Sequence, residues 1–417
     1  MSDPPPRAVS PVRLTAAMCT SQVLGQLGAF TFPALLPVFF AEWNITHTEA
    51  GWLSGIFFGA YAVGVPLLVT ATDRVDPRRI YMLAVGISTI SHIGMAVAAT
   101  DFATGMIFRI MAGIGWAGTY MVGLKALADL TEGAQRTRAV SFHAASIGVG
   151  GALSFVAAGA VETLFNWQAA FLVAAVGTLA ALVIVLIFMP ARTPQPAEPG
   201  APETRLLDFG PVFRNRSAMA YSLSYCAHTW EMFALRSWVV AFLAFVAMQS
   251  GDAPEIFVPT VIATLMGLVG TATSVFGNEI AIRFGRQRWI LFVFFVSMAM
   301  AAALGFSAGW GYGAAAAFCL IYNGFIYADS SSLTAGTVGS AAPGKRGATL
   351  AVHAVLGYTG GFVGPLAVGV ILDALGGETV FNWGIAFGHI ALVLVIGPLA
   401  LLILRPKDMA GDRASGQ

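Results

Sequence analysis

The chain has 417 residues, of which 57% are hydrophobic and only 10% charged, and its mean hydropathy is +0.77. Soluble globular chains carry roughly 25% charged residues, so this composition excludes them and defines an integral membrane protein. A net charge of +1 leaves no basic face for nucleic acid, because the Lys and Arg residues follow the membrane topology instead.

The tail 1–13 lacks a compact leader with a small-residue cleavage site, which predicts that Leu14 to Phe40 is a retained first span. Apolar stretches long enough to cross about 30 Å of hydrocarbon follow near 50–72, 79–99, 103–126, 138–160 and 168–189. A segment rich in Pro, Ala and charge, 190–216, reads as a flexible cytoplasmic linker. Six further spans are predicted near 217–247, 259–281, 289–308, 311–339, 348–371 and 382–404, before a tail at 405–417. Apolar runs of this length are helical, since the ten-residue alternation of membrane strands is absent.

Counted against these spans, 20 of the 22 Lys and Arg residues fall on one side of the membrane, and only Arg109 and Arg236 fall within spans. The opposite loops carry Glu42, Glu49, Asp101, Glu162, Asp252, Glu255, Asp373 and Glu378. The positive-inside rule then places both termini in the cytoplasm, in a cytoplasmic (inner) membrane. The halves repeat each other: "FNWQAAF" at 165–171 returns as "FNWGIAF" at 381–387, and His143 matches His353. Two pseudo-symmetric six-helix bundles, 14–189 and 217–404, are the expected architecture of this all-α membrane protein.

Polar groups inside spans are expensive and therefore point to function. In span one, Gln22 and Gln26 lie one turn apart and could line a cavity. Arg109, in span four, faces either a wet cavity or an ion pair that holds helices together. Lys125, at the cytoplasmic end of that span, can snorkel. Span seven contains "HTWEMFALR": His228 and Glu231, three apart, share a face suited to proton traffic. Arg236 points roughly 140° away from Glu231, nearer the outer mouth, where it pairs with another helix or attracts an anion. Asp329, in span ten, could bind a proton or cation, or equally pair with a cytoplasmic-side arginine. Tyr225, Trp230, Trp238, Tyr322 and Asn323 supply amphipathic surface for a small ligand. Cys19, Cys226 and Cys319 are scattered and match no metal or redox spacing.

The turn after span two, "VTATDRVDPRR", keeps Asp73, Arg74 and Arg78 of a G-x-x-x-D-R-x-G-R-R pattern, with Arg79 next to it, but has Val69 and Asp76 in place of the glycines and Pro77 in place of the first terminal arginine. Its counterpart, "NEIAIRFGRQR", keeps Arg283, Gly285, Arg286 and Arg288 but has Ile282 in place of the acid. With "RIMAGIG" (Arg109, Gly113, Gly115) as the R-x-x-x-G-x-G of span four, the chain resembles the major facilitator superfamily of secondary transporters. That resemblance implies a twelve-helix fold with a cytoplasmic gate built from Asp73, Arg74, Arg78, Arg283 and Arg286. It also implies an Arg109 that touches an anionic substrate or takes part in proton coupling.

The expected function is proton-coupled transport of a small organic or inorganic anion by alternating access. Arg109, Arg236, His228, Trp230, Tyr225, Tyr322, Asn323 and Gln26 would bind substrate, and Glu231, His228 and Asp329 would carry protons. The alternative is proton-driven export of a cationic or amphipathic compound. The expected partners are the substrate, protons and the lipid bilayer, for a monomer without cofactor or metal. No nucleotide-binding G-x-x-x-x-G-K-[ST], selectivity filter or enzymatic nucleophile set is present.

Overall fold

The computed structural model describes residues 10–72, 74–191, 209–251 and 257–407. Asp73, most of the expected linker (192–208), Asp252, Glu255, residues 1–9 and residues 408–417 lie outside the described residues. The described chain is helical, without strands. The first group of helices is α1 (Pro11–Gly25), α2 (Thr31–Ala34), α3 (Leu36–Trp43), α4 (His47–Ala71), α5 (Pro77–Val97), α6 (Phe102–Leu130), α7 (Gly133–Leu164) and α8 (Trp167–Phe188). The second group is α9 (Gly210–Arg214), α10 (Arg216–Gln249), α11 (Phe257–Phe284), α12 (Arg286–Leu304), α13 (Tyr312–Ala328), α14 (Ser330–Gly339), α15 (Arg346–Ala374), α16 (Val380–Leu394) and α17 (Ile396–Leu404). Below, the end of the molecule carrying Pro11 and Leu404 is the terminal end, and the opposite one is the far end.

Among the described residues, ten helices are long and apolar enough to cross a membrane, α16 and α17 counted as one. The other two expected spans exist but are interrupted, the first as α1–α2–α3 and the tenth as α13–α14. Pro33 and Pro37, which lack an N–H, fall in the first turns of α2 and α3. The interruption would strand backbone groups in hydrocarbon, and α7 prevents this. Ser154 accepts a hydrogen bond from the Phe30 N–H (3.0 Å) and donates one to the Leu27 carbonyl (2.7 Å). At the other interruption, the Trp289 indole donates to the Ala328 carbonyl (2.9 Å).

The acids of the far end cap helices as well as marking topology. Asp101 caps α6, and hydrogen bonds from the backbone and hydroxyl of Thr104 (2.9 and 2.7 Å) hold its carboxyl below the usual range. Thr46 and Glu49 form a capping box on α4.

The two groups meet chiefly through two pairs of helices. Gly51 and Gly55 of α4 lie directly on α15, so close that a Cβ on Gly55 would overlap the Phe362 carbonyl. On the other side, Thr264 of α11 accepts from the Val156 N–H (3.1 Å) and donates to the Ala152 carbonyl of α7 (3.0 Å). Small residues at such crossings let backbones approach. These contacts lie in the far half of the bundle, and Tyr61 on Tyr358, with ring centroids 4.1 Å apart, lies nearer its middle.

Ser154→Ala removes both bonds that α7 gives to the interrupted first span. It is expected to lower stability by about 1–3 kcal/mol, read as a drop in the unfolding midpoint of detergent-solubilised protein. A midpoint equal to wild type would show that water or local rearrangement replaces Ser154.

Candidate functional site

Helix α10 carries most of the site and is buried along almost its whole length. His228 turns to α13 rather than to Glu231: its Nδ1 lies 2.9 Å from Asp329 Oδ1, both side chains at most 3% exposed. Asp329 occupies the interruption between α13 and α14, where its carboxylate meets His228. Glu231 instead faces the hydroxyls of Tyr322 on α13 and Ser297 on α12. The expected His228–Glu231 partnership is therefore replaced by two separate rungs between antiparallel helices. A spacing of three placed both residues on one side of α10, and the polar groups on its neighbours decided their partners.

Arg236 meets one of its two expectations, a partner on another helix, but not at the far mouth. Helical side chains lean toward the helix N-terminus, and Arg236 follows this direction back toward the middle of the bundle, away from the far mouth. Its Nη1 donates to the Tyr327 hydroxyl (2.9 Å), and its guanidinium lies 3.9 Å from the Phe30 ring centroid and 5.8 Å from that of Phe155. Phe30 and Phe155 belong to the first bundle, so Arg236 is a cation of the second bundle seated against the first. A Cβ added at Gly151 of α7 would touch Arg236 Nη2 and the Phe30 ring. Arg236 Nη2 and Gln26 Nε2 are both buried without a hydrogen-bond partner among the described residues.

Tyr327, which sequence reasoning missed, links these groups. Its hydroxyl holds Arg236 and its ring lies edge-on to His228, 6.5 Å between centroids. It stands two residues before Asp329 in "YNGFIYADS", so a helix break at Asp329 was the signal that would have placed it. Tyr225 stacks on His228 (5.5 Å) and on His353 (4.0 Å). Thr337 of α14 lies 3.1 Å from His353 Nδ1.

The remaining candidates lie elsewhere. Arg109 is enclosed in the first bundle: its Nε donates to the Leu53 carbonyl (2.9 Å) and its guanidinium lies over Phe57 (4.8 Å) and Phe32 (5.6 Å). Trp230 faces α16, where its indole donates to His389 Nε2 (3.0 Å). Asn323 ties α13 to α11 by donating to the Met266 carbonyl (2.6 Å). Trp238 donates to the Pro365 carbonyl (2.9 Å), a packing role.

Of the expected gate residues, Arg78 donates to the Leu186 carbonyl (2.6 Å), while Arg74 is exposed. Arg283 pairs with Glu279 of its own helix (2.9 Å), and Arg286 reaches Asn278 (2.9 Å) and the Ser332 carbonyl (3.1 Å). Lys125 donates to Thr72 (2.6 Å) across the terminal ends of α6 and α4.

A model of the Major Facilitator Superfamily matches residues 18–365, and the chain belongs to that family. The chain is 24% identical over 290 residues to Protein spinster homolog 1 of Homo sapiens, which covers 66% of this chain and 54% of that protein. It is 27% identical over 157 residues to the Probable 4-methylmuconolactone transporter of Cupriavidus pinatubonensis (strain JMP 134 / LMG 1197), covering 37% and 36% of the two chains. The chain spans about half the length of the spinster relatives it matches. Its fold resembles the crystal structure of a bacterial homolog to the human lysosomal transporter Spinster in an inward-facing, unoccupied conformation. The TM-score is 0.75 at 17% identity, with 94% and 96% of the two chains covered. The matched features are those of a multi-pass membrane protein.

Removing one partner from the His228–Asp329 pair leaves the other buried alone. His228→Ala is expected to cost about 3–5 kcal/mol, and the double change His228→Leu with Asp329→Leu to recover most of it. Chemical unfolding of the three proteins checks this, and equal losses in single and double variants would contradict a paired site.

Proposed function

We propose that the protein is a proton-coupled secondary transporter that moves a small organic or inorganic anion by alternating access. Its termini lie in the cytoplasm, and the membrane is the inner one. On this reading residues 14–189 and 217–404 are the two moving halves of a monomer, tethered by 190–216. The tails 1–13 and 405–417 lie in the cytoplasm. The terminal end is then the cytoplasmic one, and the packing of α4 on α15 and α7 on α11 closes the outside.

The observation that carries this reading is Arg236. Its Nη2 has no partner among the described residues, as is also true of Arg109 Nη2, but Arg236 alone of the two sits between the halves, where an anion would offset the cost of burying its charge. Gln26 brings a second free donor from the other half, so an anion between them would be held by both halves at once. Glu231, facing Tyr322 of α13, and Asp329, at the end of α13, supply the proton sites. One anion on Arg236 and one proton on a carboxylate add no net charge to the closed interface, so the loaded carrier reorients without paying for a bare charge. Relatives named as probable transporters, one for a lactone and one for a sphingolipid, support an organic cargo.

Arg109 takes a different part here. Clamped by Leu53, Phe32 and Phe57, it orients span one and span two within the first half. Arg74, Arg78, Arg283 and Arg286 form, with Asp73, the gate at the cytoplasmic end.

Purified protein in liposomes provides the test, with a pH gradient and a panel of labelled organic and inorganic anions. Arg236→Ala should raise the half-saturation concentration about 10–100-fold, as for loss of a charge-assisted hydrogen bond. Glu231→Gln should keep exchange but lose pH-driven accumulation. Flux confined to lipophilic cations, abolished by Glu231→Gln, would overturn the anion reading and favour proton-driven export.

A further inference from the structure

At the far end one carboxylate is held by the opposite half. Asp373, the penultimate residue of α15, accepts hydrogen bonds from the backbone N–H groups of His47 (3.1 Å) and Thr48 (2.7 Å), and His47 Nδ1 lies 2.7 Å from its Oδ1. His47 and Thr48 are the first two residues of α4. Their N–H groups are among those a helix cannot satisfy itself, and the carboxylate sits at the positive end of the helix dipole.

The first turn of α4 is shared between two caps. Thr46 takes the Glu49 N–H (3.1 Å), and the Glu49 carboxylate turns back to the Thr46 N–H (2.8 Å), so Glu49 is committed within its own bundle. Asp373 takes the N–H groups that Thr46 leaves. The surroundings hold His47 in place: Phe40 lies 5.1 Å away and Trp238 stacks at 6.3 Å. Gly369 lets α15 approach the His47 carbonyl, where a Cβ would overlap. Glu378, in the turn after α15, adds a second negative charge facing His47.

We propose that Asp373 is a gate residue, a latch that closes the far end by capping α4 of the opposite half. The inference rests on the alternating-access reading, because a latch has meaning only if that end opens. The geometry suits a reversible contact. When the halves part, Thr46 and Glu49 still cap α4, so the helix does not fray, while Asp373 and the released N–H groups pass to water. Side-chain exposures of 31% for Asp373 and 19% for His47 in the closed form put that water within reach.

The test uses the full chain in lipid nanodiscs with Cys19, Cys226 and Cys319 replaced by alanine. Spin labels at Glu42 and Leu375 report the distance across the far end. Wild type should show a short and a long distance. Asp373→Ala should raise the long-to-short ratio about tenfold, and His47→Gln, which keeps both backbone donors, by only two- to threefold. Asp101→Asn, which weakens a cap inside one half, should leave the ratio unchanged. An unchanged ratio in Asp373→Ala beside two populations in wild type would overturn the latch and spare alternating access. An equal shift in Asp101→Asn would reduce Asp373 to a general helix-stabilising residue. One fixed distance in every variant and condition would remove alternating access and the latch together.

Discussion

Hydrocarbon supplies no hydrogen bonds, so a transmembrane helix is broken only where another part of the protein takes over the released backbone groups. Here that constraint organises the centre of the molecule. Ser154 of α7 pins the interruption after α1 to a neighbouring span, and Trp289 of α12 does the same beside Asp329. Each interruption positions a polar or aromatic group that a continuous helix would aim elsewhere. Phe30 becomes the platform under the Arg236 guanidinium, and Asp329 meets His228. The two breaks therefore bring the charged residues of α10 into contact with both halves.

The distribution of partners around α10 separates holding from exchange. His228 and Asp329 balance each other, and Glu231 rests among hydroxyls. Arg236 is only half satisfied, by Tyr327 and two aromatic faces. A fully satisfied cation would gain little from a ligand, whereas a half-satisfied one at the seam between bundles has something to gain at the place where relative motion occurs. Arg109 also has an Nη2 unpartnered among the described residues, but its aromatic and carbonyl contacts lie within one bundle, and so it is insensitive to that motion.

Much of this was legible in the residues. Spans of twenty apolar residues, the segregation of basic from acidic loops and the internal repeat were sufficient for the all-helical two-bundle fold, because each is a local or periodic property. His228, Glu231, Arg236 and Asp329 also stood out, since any charge in such surroundings does. Their partners did not. Which of Glu231 or Asp329 receives His228 depends on where α13 breaks, a tertiary outcome. The direction of Arg236 followed from the backward lean of helical side chains, which a projection onto a helical wheel omits. Trp230 reads like a ligand surface in sequence, but the His389 acceptor that holds it is 159 residues away. Thr264 of α11 gave no sign that Val156 and Ala152 of α7 would be its partners.

The near-complete burial of α10 bears on how the protein is made. A helix carrying His228, Glu231 and Arg236 enters the bilayer at a cost of about 2.5–3.5 kcal/mol for each charged group at its centre, before its neutralising partners exist. Tyr327 and Asp329 are synthesised about 100 residues later, some 5–20 s at ordinary elongation rates. During that interval α10 must be sheltered by the insertion machinery or by the finished first bundle, whose Phe30 and Phe155 already offer a seat for Arg236. The order of synthesis thus makes the amino-terminal half a template on which the carboxy-terminal half is assembled.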